Sequence, residues 1–582
     1  MKDGMLDLSG KRAVLAIYIG IVLLKVLLSF QIPSPFISSD EVSYSKMAQS
    51  FYEEHKFLID VDLPSQSYPP LYSFVISSAY FLGDINIAYP AMKIINILIS
   101  SLIVIPVWLI AKEFLDSEKS LFIVILTVLL PSAFSYPFIV ISESLLYPLF
   151  MLSIYLIIKS IRGDKAMGIW CGIVMFLTVL TKSTGYVLPI AIFIIFIIEN
   201  WKDIFSFWNK RNTKNIISAA WNLRWILISF ISLLIIWKYI QNLWGLGGGT
   251  GGTDYNPYES ISTINDLISV TSWSIMHMGY FVFATMIIFF IFALVLTQKY
   301  IGKKIPSENL AVLIIVSWTT LVLLIIVSAQ SRVAWGAGAS FAVMGRYIDP
   351  ILPAFLIMGA IGFEYKRDKS FWLATAISII ALWFIPLDSR LRSINAPDTY
   401  LLVAPSYLHE TGIIPFEVNV LEIKLILASI VLIISILLWK NIFTWKTLKY
   451  ASILFFIASS VLAFGVAYTA SHDVQDHMII GHWLRENTPP HKVVLFDERD
   501  FNGTSWPWFA VTFWTDDRYV FGNVTNESVK IETANGSVNK KVDYIVSIHK
   551  LDNPLLLEVH ARTQIRSHSD NVYYLYSANQ SR

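Results

Sequence analysis

Charge is scarce in this chain. Asp, Glu, Lys and Arg make up only 15% of its 582 residues, and the net charge is +2. No basic stripe is present, which excludes a nucleic-acid surface. Cysteine is nearly absent as well: Cys171, inside an apolar run, stands alone. One thiol builds neither a disulfide framework nor a Cys-based metal site. A phosphate-binding P-loop is also missing. Six glycines crowd positions 245–252, but no Gly-Lys-Ser/Thr follows them, so the segment reads as a flexible loop. No internal repeat is found, although many transporter folds carry one.

What the chain has in abundance is hydrocarbon. Hydrophobic residues reach 55% and mean hydropathy is +0.59, more than a soluble protein of this size hides. Runs long enough to span a membrane lie near 13–31, 88–112, 119–138, 142–159, 166–181, 183–200, 225–242, 270–297, 309–328, 347–363, 371–387, 421–439 and 450–470. The first follows Lys2, Lys11 and Arg12, as a signal peptide would. No small-residue cleavage site follows it, and it reads as a retained span. A shorter run, Pro69 to Gly83, opens with two prolines and reads as a helix lying in the outer interface.

Basic residues test that choice. With the N-terminus in the cytoplasm, inside loops hold twenty-two Lys and Arg. Outside loops before the tail hold seven: Lys46, Lys56, Lys182, Arg332, Arg346, Arg390 and Arg392. Counting the short run as a span would invert every later loop. The expected fold class is therefore mainly α, a polytopic bundle of about thirteen transmembrane helices over residues 1–470. Its first outer loop, 31–87, carries interfacial helices. Residues 471–582 form a small extracytoplasmic α/β or α+β domain: a helix near Ile479 to Glu486, then strands at Val493–Phe496, Tyr544–Ser547 and Tyr573–Tyr576. Sequons at Asn502, Asn523, Asn526, Asn535 and Asn579 agree with an outer tail. The expected location is the plasma membrane, multi-pass.

Ionisable groups near spans are expensive and point to sites. This topology gathers one set on the outer face: Asp40 and Glu41 past the first span, Lys93 inside the second, Glu143 heading the fourth, Lys182 in a tight turn after the fifth, and Arg346 opening the tenth. Cations there would stabilise an anionic leaving group, and a carboxylate opposite would take a proton. Each also has a plainer reading. Asp40-Glu41 fits a solvated loop pair, Lys182 and Arg346 fit snorkelling flanks, and Glu143 fits a helix start with Ser142 as N-cap. Asp60-Val61-Asp62 has the spacing of a metal or sugar-nucleotide motif. His472, Asp473, Asp476, His477 and His482 sit at helical spacing, where a hydrated helix is the plainer reading than a metal site.

The order of these features resembles the GT-C superfamily of membrane glycosyltransferases, and within it the protein O-mannosyltransferase and aminoarabinose transferase branch. The resemblance is carried by Asp40-Glu41, by Tyr68-Pro69-Pro70-Leu71-Tyr72, by Lys93, by Ser142-Glu143, by Thr181-Lys182-Ser183-Thr184-Gly185, and by Arg346-Tyr347 with Pro350 and Pro353. It covers roughly residues 13–360. It implies a GT-C-type bundle with Asp40 as first and Glu41 as second candidate base. It also implies Lys93, Lys182 and Arg346 on a lipid phosphate, with Glu143, Tyr68 and Tyr347 in support. The chain departs from the aminoarabinose branch where Ser67-Tyr68 replaces a carboxylate before the prolines. It also lacks the Trp-Trp-Asp motif of oligosaccharyltransferases.

The activity these features imply is inverting transfer of a hexosyl or pentosyl group from a polyprenyl phosphate of the dolichyl type. The acceptor would be a protein, lipid or polysaccharide on the outer face. No cofactor is expected to be required and no metal ligand is assigned; a divalent ion stays open. The alternatives are a transporter or lipid-linked sugar flippase, and a scaffold or sensor with an outer binding domain. Nearly bare mid-span regions count against the transporter.

Overall fold

A computed structural model describes residues 2–35, 39–60, 63–64, 68–161, 163–200, 221–243, 262–302, 308–334, 342–365, 367–387, 395–410, 419–473, 475–490, 492–497, 511–515, 518–524, 528–533, 536–561 and 571–578. The chain is a multi-pass membrane protein, and all thirteen expected runs are helical. Among the described residues, nine helices are long and apolar enough to cross by themselves. The pair Ser117–Val128 and Pro131–Phe138, bent by 62°, makes a tenth if it is counted as one span. The bend departs from the single run expected there. Leu130 is extended before Pro131 (ψ 129°), as proline demands of the residue preceding it, and the ring cannot continue the helix.

The run expected over 270–297 is likewise two helices, Ile264–Ala284 and Ile288–Ile301. Met286 and Ile287 between them have φ of 56° and 60°, a region unfavourable to a β-branched residue. Both halves still follow one neighbour, the helix Lys369–Trp383. Gly279 packs on the Ala381 carbonyl, and the Phe292 and Phe371 rings lie 5.7 Å apart. The first is long enough to cross by itself, and the second is a shorter apolar helix.

Lipid is as apolar as leucine, so helices in a membrane associate by close packing rather than by escape from water. Small residues do this work here. Gly168 and Gly172, four apart on the helix Lys165–Thr181, face Arg224–Leu243. A Cβ on Gly172 would lie 2.6 Å from the Ile226 carbonyl oxygen and 2.8 Å from the Phe230 nitrogen. Gly359 and Gly362 admit the backbone of Phe289 and Phe292 in the same way.

The loop after the first span is ordered where described. It contains the helix Ser39–Glu54, a strand pair Leu58–Asp60 and Leu63–Pro64, and the helix Leu71–Ile76 running into the 3-10 turn Ser77–Leu82. The last two elements occupy the short run expected to lie in the interface. Val61 and Asp62 of the Asp60-Val61-Asp62 motif lie outside the described residues. Tyr44 meets Tyr68 and Tyr72 edge-on at 5.1 and 4.9 Å. The buried Tyr72 hydroxyl donates to Asn96 of the second span, 3.0 Å away. These contacts fasten the loop to the bundle.

At the C-terminus a five-stranded sheet runs in the order Arg518–Gly522, Val493–Asp497, Tyr544–Ser547, Asn571–Ser577, Leu555–Ala561. The first three strands are mutually parallel, and Asn571–Ser577 runs antiparallel to both of its neighbours. The three strands expected from sequence are among them, and the helix Gln475–Asn487 packs on the sheet. The sheet region reaches the first loop: Phe513 and Trp514 join Tyr44, Tyr72 and Tyr89 in one buried cluster. Lys46 donates to the Thr515 carbonyl, and Arg485 pairs with Asp84 at 2.8 Å.

Gly172→Ile forces a branched side chain against backbone that cannot yield. It is expected to destabilise by about 1–3 kcal/mol, the usual range for overpacking, measured as a fall in detergent unfolding midpoint. Gly20→Ile, where a Cβ meets nothing within 4 Å, is the control.

Candidate functional site

Five distant segments deliver polar side chains to one point at the loop end of the bundle. Asp40 lies in the first turn of Ser39–Glu54. Tyr68 directly precedes Pro69. Glu143 is the first residue of the helix Glu143–Ser160. Lys182 caps Lys165–Thr181 in extended backbone (φ −158°, ψ 138°). Arg346 and Tyr347 occupy the single-turn helix Gly345–Ile348. The turn at Lys182 closes because Gly185 has no side chain; a Cβ there would sit 2.9 Å from the Thr178 backbone.

The charges interlock. Asp40 accepts from Arg346 Nη1 at 2.6 Å and from the Tyr68 hydroxyl at 3.0 Å. Glu143, fully buried, pairs with Lys182 and lies 3.7 Å from Arg346 Nε. The Tyr347 ring stands between both cations, 4.6 Å from Lys182 Nζ and 5.4 Å from the Arg346 guanidinium. Two carboxylates and two cations thus balance. The charges tolerate burial because each has a partner of opposite sign. Burial raises the Asp40 carboxyl, but Arg346 and Lys182 outweigh it and hold the group below its ordinary value, so it is ionised at neutral pH. Burial and the Asp40 charge push the Tyr68 hydroxyl upward, keeping it a hydrogen-bond donor.

The plainer reading of Glu143 as a capped helix start does not describe it fully. Ser142 makes no side-chain cap bond. Its hydroxyl receives a bond from Tyr44 at 3.0 Å and approaches Glu143 at 3.4 Å. Lys182 and Arg346 are not snorkelling flanks; both are tied to carboxylates.

Glu41 and Lys93 are placed differently. Consecutive helical residues point about 100° apart, so Glu41 turns inward when Asp40 faces the cluster. Glu41 Oε1 accepts from the Val140 N–H at 3.0 Å, and its charge acts on Lys93. Lys93 donates to the carbonyls of Ser29 and Ile32 at 3.2 and 2.5 Å, where the first span ends. Its ammonium stands 4.8 Å from the Tyr89 ring centroid. The pair braces the loop root rather than lining the cluster.

Two acids escaped sequence reasoning. Asp349 and Asp398 are each about 1% exposed and meet at the Tyr280 hydroxyl, 2.8 and 3.2 Å away. Asp349 follows Arg346 by three residues inside an apolar stretch, which was a usable signal. Asp398 sits in a connecting segment with none. In the tail, His482 stacks on Trp514 at 4.3 Å. Among the described residues no group of three or more His, Cys, Asp or Glu is arranged to hold a metal ion.

Residues 67–212 match the family described as dolichyl-phosphate-mannose-protein mannosyltransferase. That stretch contains Tyr68, Lys93, Glu143 and Lys182, but neither Asp40 nor Arg346. No curated protein matches the sequence. The fold is similar to that of ArnT from Cupriavidus metallidurans bound to undecaprenyl phosphate. Identity is 11%, coverage is 97% of this chain and 98% of that one, and the TM-score is 0.51. ArnT in the apo state matches at 12% identity over the same shares, with a TM-score of 0.50. The Archaeoglobus fulgidus oligosaccharyltransferase is more distant, at 12% identity, 91% and 69% coverage and a TM-score of 0.46. The chain therefore shares the GT-C fold of ArnT over nearly its whole length.

Removing one partner of a buried ion pair leaves the other charge stranded. Glu143→Ala is expected to cost about 3–5 kcal/mol of stability. The double variant Glu143→Ala/Lys182→Ala should recover part of that loss in the same unfolding measurement.

Proposed function

We propose that this protein is an inverting GT-C glycosyltransferase. It moves a hexosyl or pentosyl group from a polyprenyl phosphate of the dolichyl type to an acceptor hydroxyl on the outer face of the plasma membrane. The N-terminus then lies in the cytoplasm and the C-terminal sheet outside. The observation that carries this reading is the convergence of Lys182 and Arg346 beside the ionised Asp40 at one end of the bundle. The support from outside is the mannosyltransferase family match and a fold shared with ArnT, one structure of which holds undecaprenyl phosphate.

The chemistry follows from the charges. The lipid tail stays in the bilayer and its phosphate lies against Lys182 and Arg346. The acceptor oxygen attacks the anomeric carbon from the opposite face. The bond from that carbon to the phosphate oxygen breaks, and the lipid phosphate leaves with the electron pair. The two cations stabilise the charge that gathers on it. Asp40 receives the acceptor proton. Arg346 now holds Asp40, and a phosphate would compete for the same guanidinium. When Arg346 turns to the phosphate, Asp40 loses its nearest cation and becomes a stronger base. Donor binding thereby prepares the base. Glu143 keeps Lys182 and Arg346 in place, and Tyr68 orients the Asp40 carboxylate. Glu41 and Lys93 anchor the loop.

Asp40→Asn keeps the shape of the site and removes the proton acceptor. Transfer from polyprenyl-phosphate sugars into a membrane acceptor extract is expected to fall by roughly 10²–10⁴, with donor binding retained. Wild-type turnover in Asp40→Asn would defeat the assignment. Arg346→Ala should chiefly raise the donor KM. Lys182 and Arg346 supply the charge compensation in this reading, so a divalent-metal chelator is expected to leave the rate unchanged. A chelator-sensitive rate restored by metal would require an ion in the site.

A further inference from the structure

Behind Arg346 the chain builds a unit that the proposed chemistry does not use. Asp349 Oδ1 and Asp398 Oδ2 lie 2.8 and 3.2 Å from the same phenolic oxygen, Tyr280 Oη. A phenol has one hydrogen and can donate to one of them. Tyr147 also donates to Asp349, at 3.3 Å. Tyr147 likewise has one hydrogen and a second acceptor within reach, the Arg346 carbonyl oxygen. Whichever carboxyl the Tyr280 hydrogen does not serve meets the phenol oxygen favourably only by donating to it, as a carboxylic acid. The Ser132 hydroxyl and N–H lie beside Asp398 and partly offset its burial. Two adjacent buried carboxylates do not both ionise readily.

The same unit holds the turn that carries Arg346. The Arg346 N–H donates to the Asn395 carbonyl at 2.9 Å, three residues before Asp398. The Tyr147 hydroxyl lies 3.3 Å from the Arg346 carbonyl oxygen. Gly345 has no side chain where the Tyr280 ring passes; a Cβ there would lie 2.7 Å from Tyr280 Cε1. The arginine turn, the 395–400 segment and the helix Ile264–Ala284 therefore meet at one phenol.

We propose that Asp349 and Asp398 share a single proton through Tyr280, and that this charge state positions Arg346. The second half rests on the function proposed above; the first does not. Asp398 and Tyr280 are positioning residues, since neither is placed on the substrate. Loss of the shared proton would set two negative charges on one phenol and push the 395–400 segment away from the arginine turn.

Burial pushes the Asp398 carboxyl up to about 7 from an ordinary 3.8. Facing it are Tyr280, Asp349, Tyr147 and Tyr136 from four other elements and Tyr400 from its own segment. The folded protein thus binds a proton that the unfolded chain releases between 3.8 and about 7. Stability from this group is full below that window and falls as pH rises through it.

The test uses full-length protein in lipid nanodiscs. Infrared spectra are expected to show a protonated carboxyl band at mildly acidic pH that fades as pH passes about 7. Asp398→Asn, which fixes the neutral state, should lose that band and the matching decline in unfolding midpoint. Wild type is expected to lose kcat/KM as pH rises past about 7, and Asp398→Asn should not. Asp349→Asn, which also leaves a single carboxyl on the phenol, should likewise lose the band, and it should lower kcat/KM about tenfold. A band that survives in either variant overturns the assignment. If Asp398→Asn does not fold, Tyr280→Phe serves: the band must change frequency, and an unchanged band overturns the proposal. Correct infrared and unfolding results with no transfer from any donor would refute the transferase reading while leaving the shared proton standing.

Discussion

The ion pair between Arg346 and Asp40 spans 306 residues of sequence, and the site is arranged around it. A guanidinium at the end of an apolar bundle is tolerated only when its charge is met. Asp40 meets it from the loop, and Glu143 meets it from the fourth span. Glu143 in turn requires Lys182, and Tyr347 fills the space between the two cations. No member can be removed without stranding another. The arrangement also balances charge while leaving two cations able to turn toward an anion.

Such a cluster needs a frame that does not slide. In the bilayer that frame comes from shape, since water does not drive helices together. Glycines at 168, 172, 359 and 362 bring helix backbones into contact, and Gly185 closes the turn that presents Lys182. The frame reaches the loop through polar bonds that would be unmet in hydrocarbon: Tyr72 to Asn96, Asn96 to the Ile139 carbonyl, and Lys93 to the carbonyls ending the first span. The sheet region adds Phe513 and Trp514 from the far side of the loop. The helix carrying Asp40 is consequently held from both bundle and tail.

Much of this was legible beforehand. Spans show in one dimension because each helix must satisfy its own backbone and face lipid with apolar residues. The thirteen runs, the short run over 69–83 and three tail strands form helices and strands where the hydropathy pattern puts them. The breaks at Leu130 and at Met286-Ile287 were not seen. Hydropathy averages over a kink, and only the Pro131 break had a local signal.

Site residues divide in the same way. Asp40, Tyr68, Glu143, Lys182, Arg346 and Tyr347 could be nominated because ionisable and aromatic groups at span ends stand out against apolar sequence. The sequence alone determined that much, together with the fold class, because both depend on the composition of short contiguous segments. Only the tertiary structure decided that Asp40 and not Glu41 faces Arg346, that Lys93 braces the loop root, and that Asp349 and Asp398 meet at Tyr280. Those outcomes depend on helix rotation and on contacts between segments far apart in sequence. They are set by how whole helices pack, which no local pattern of residues encodes.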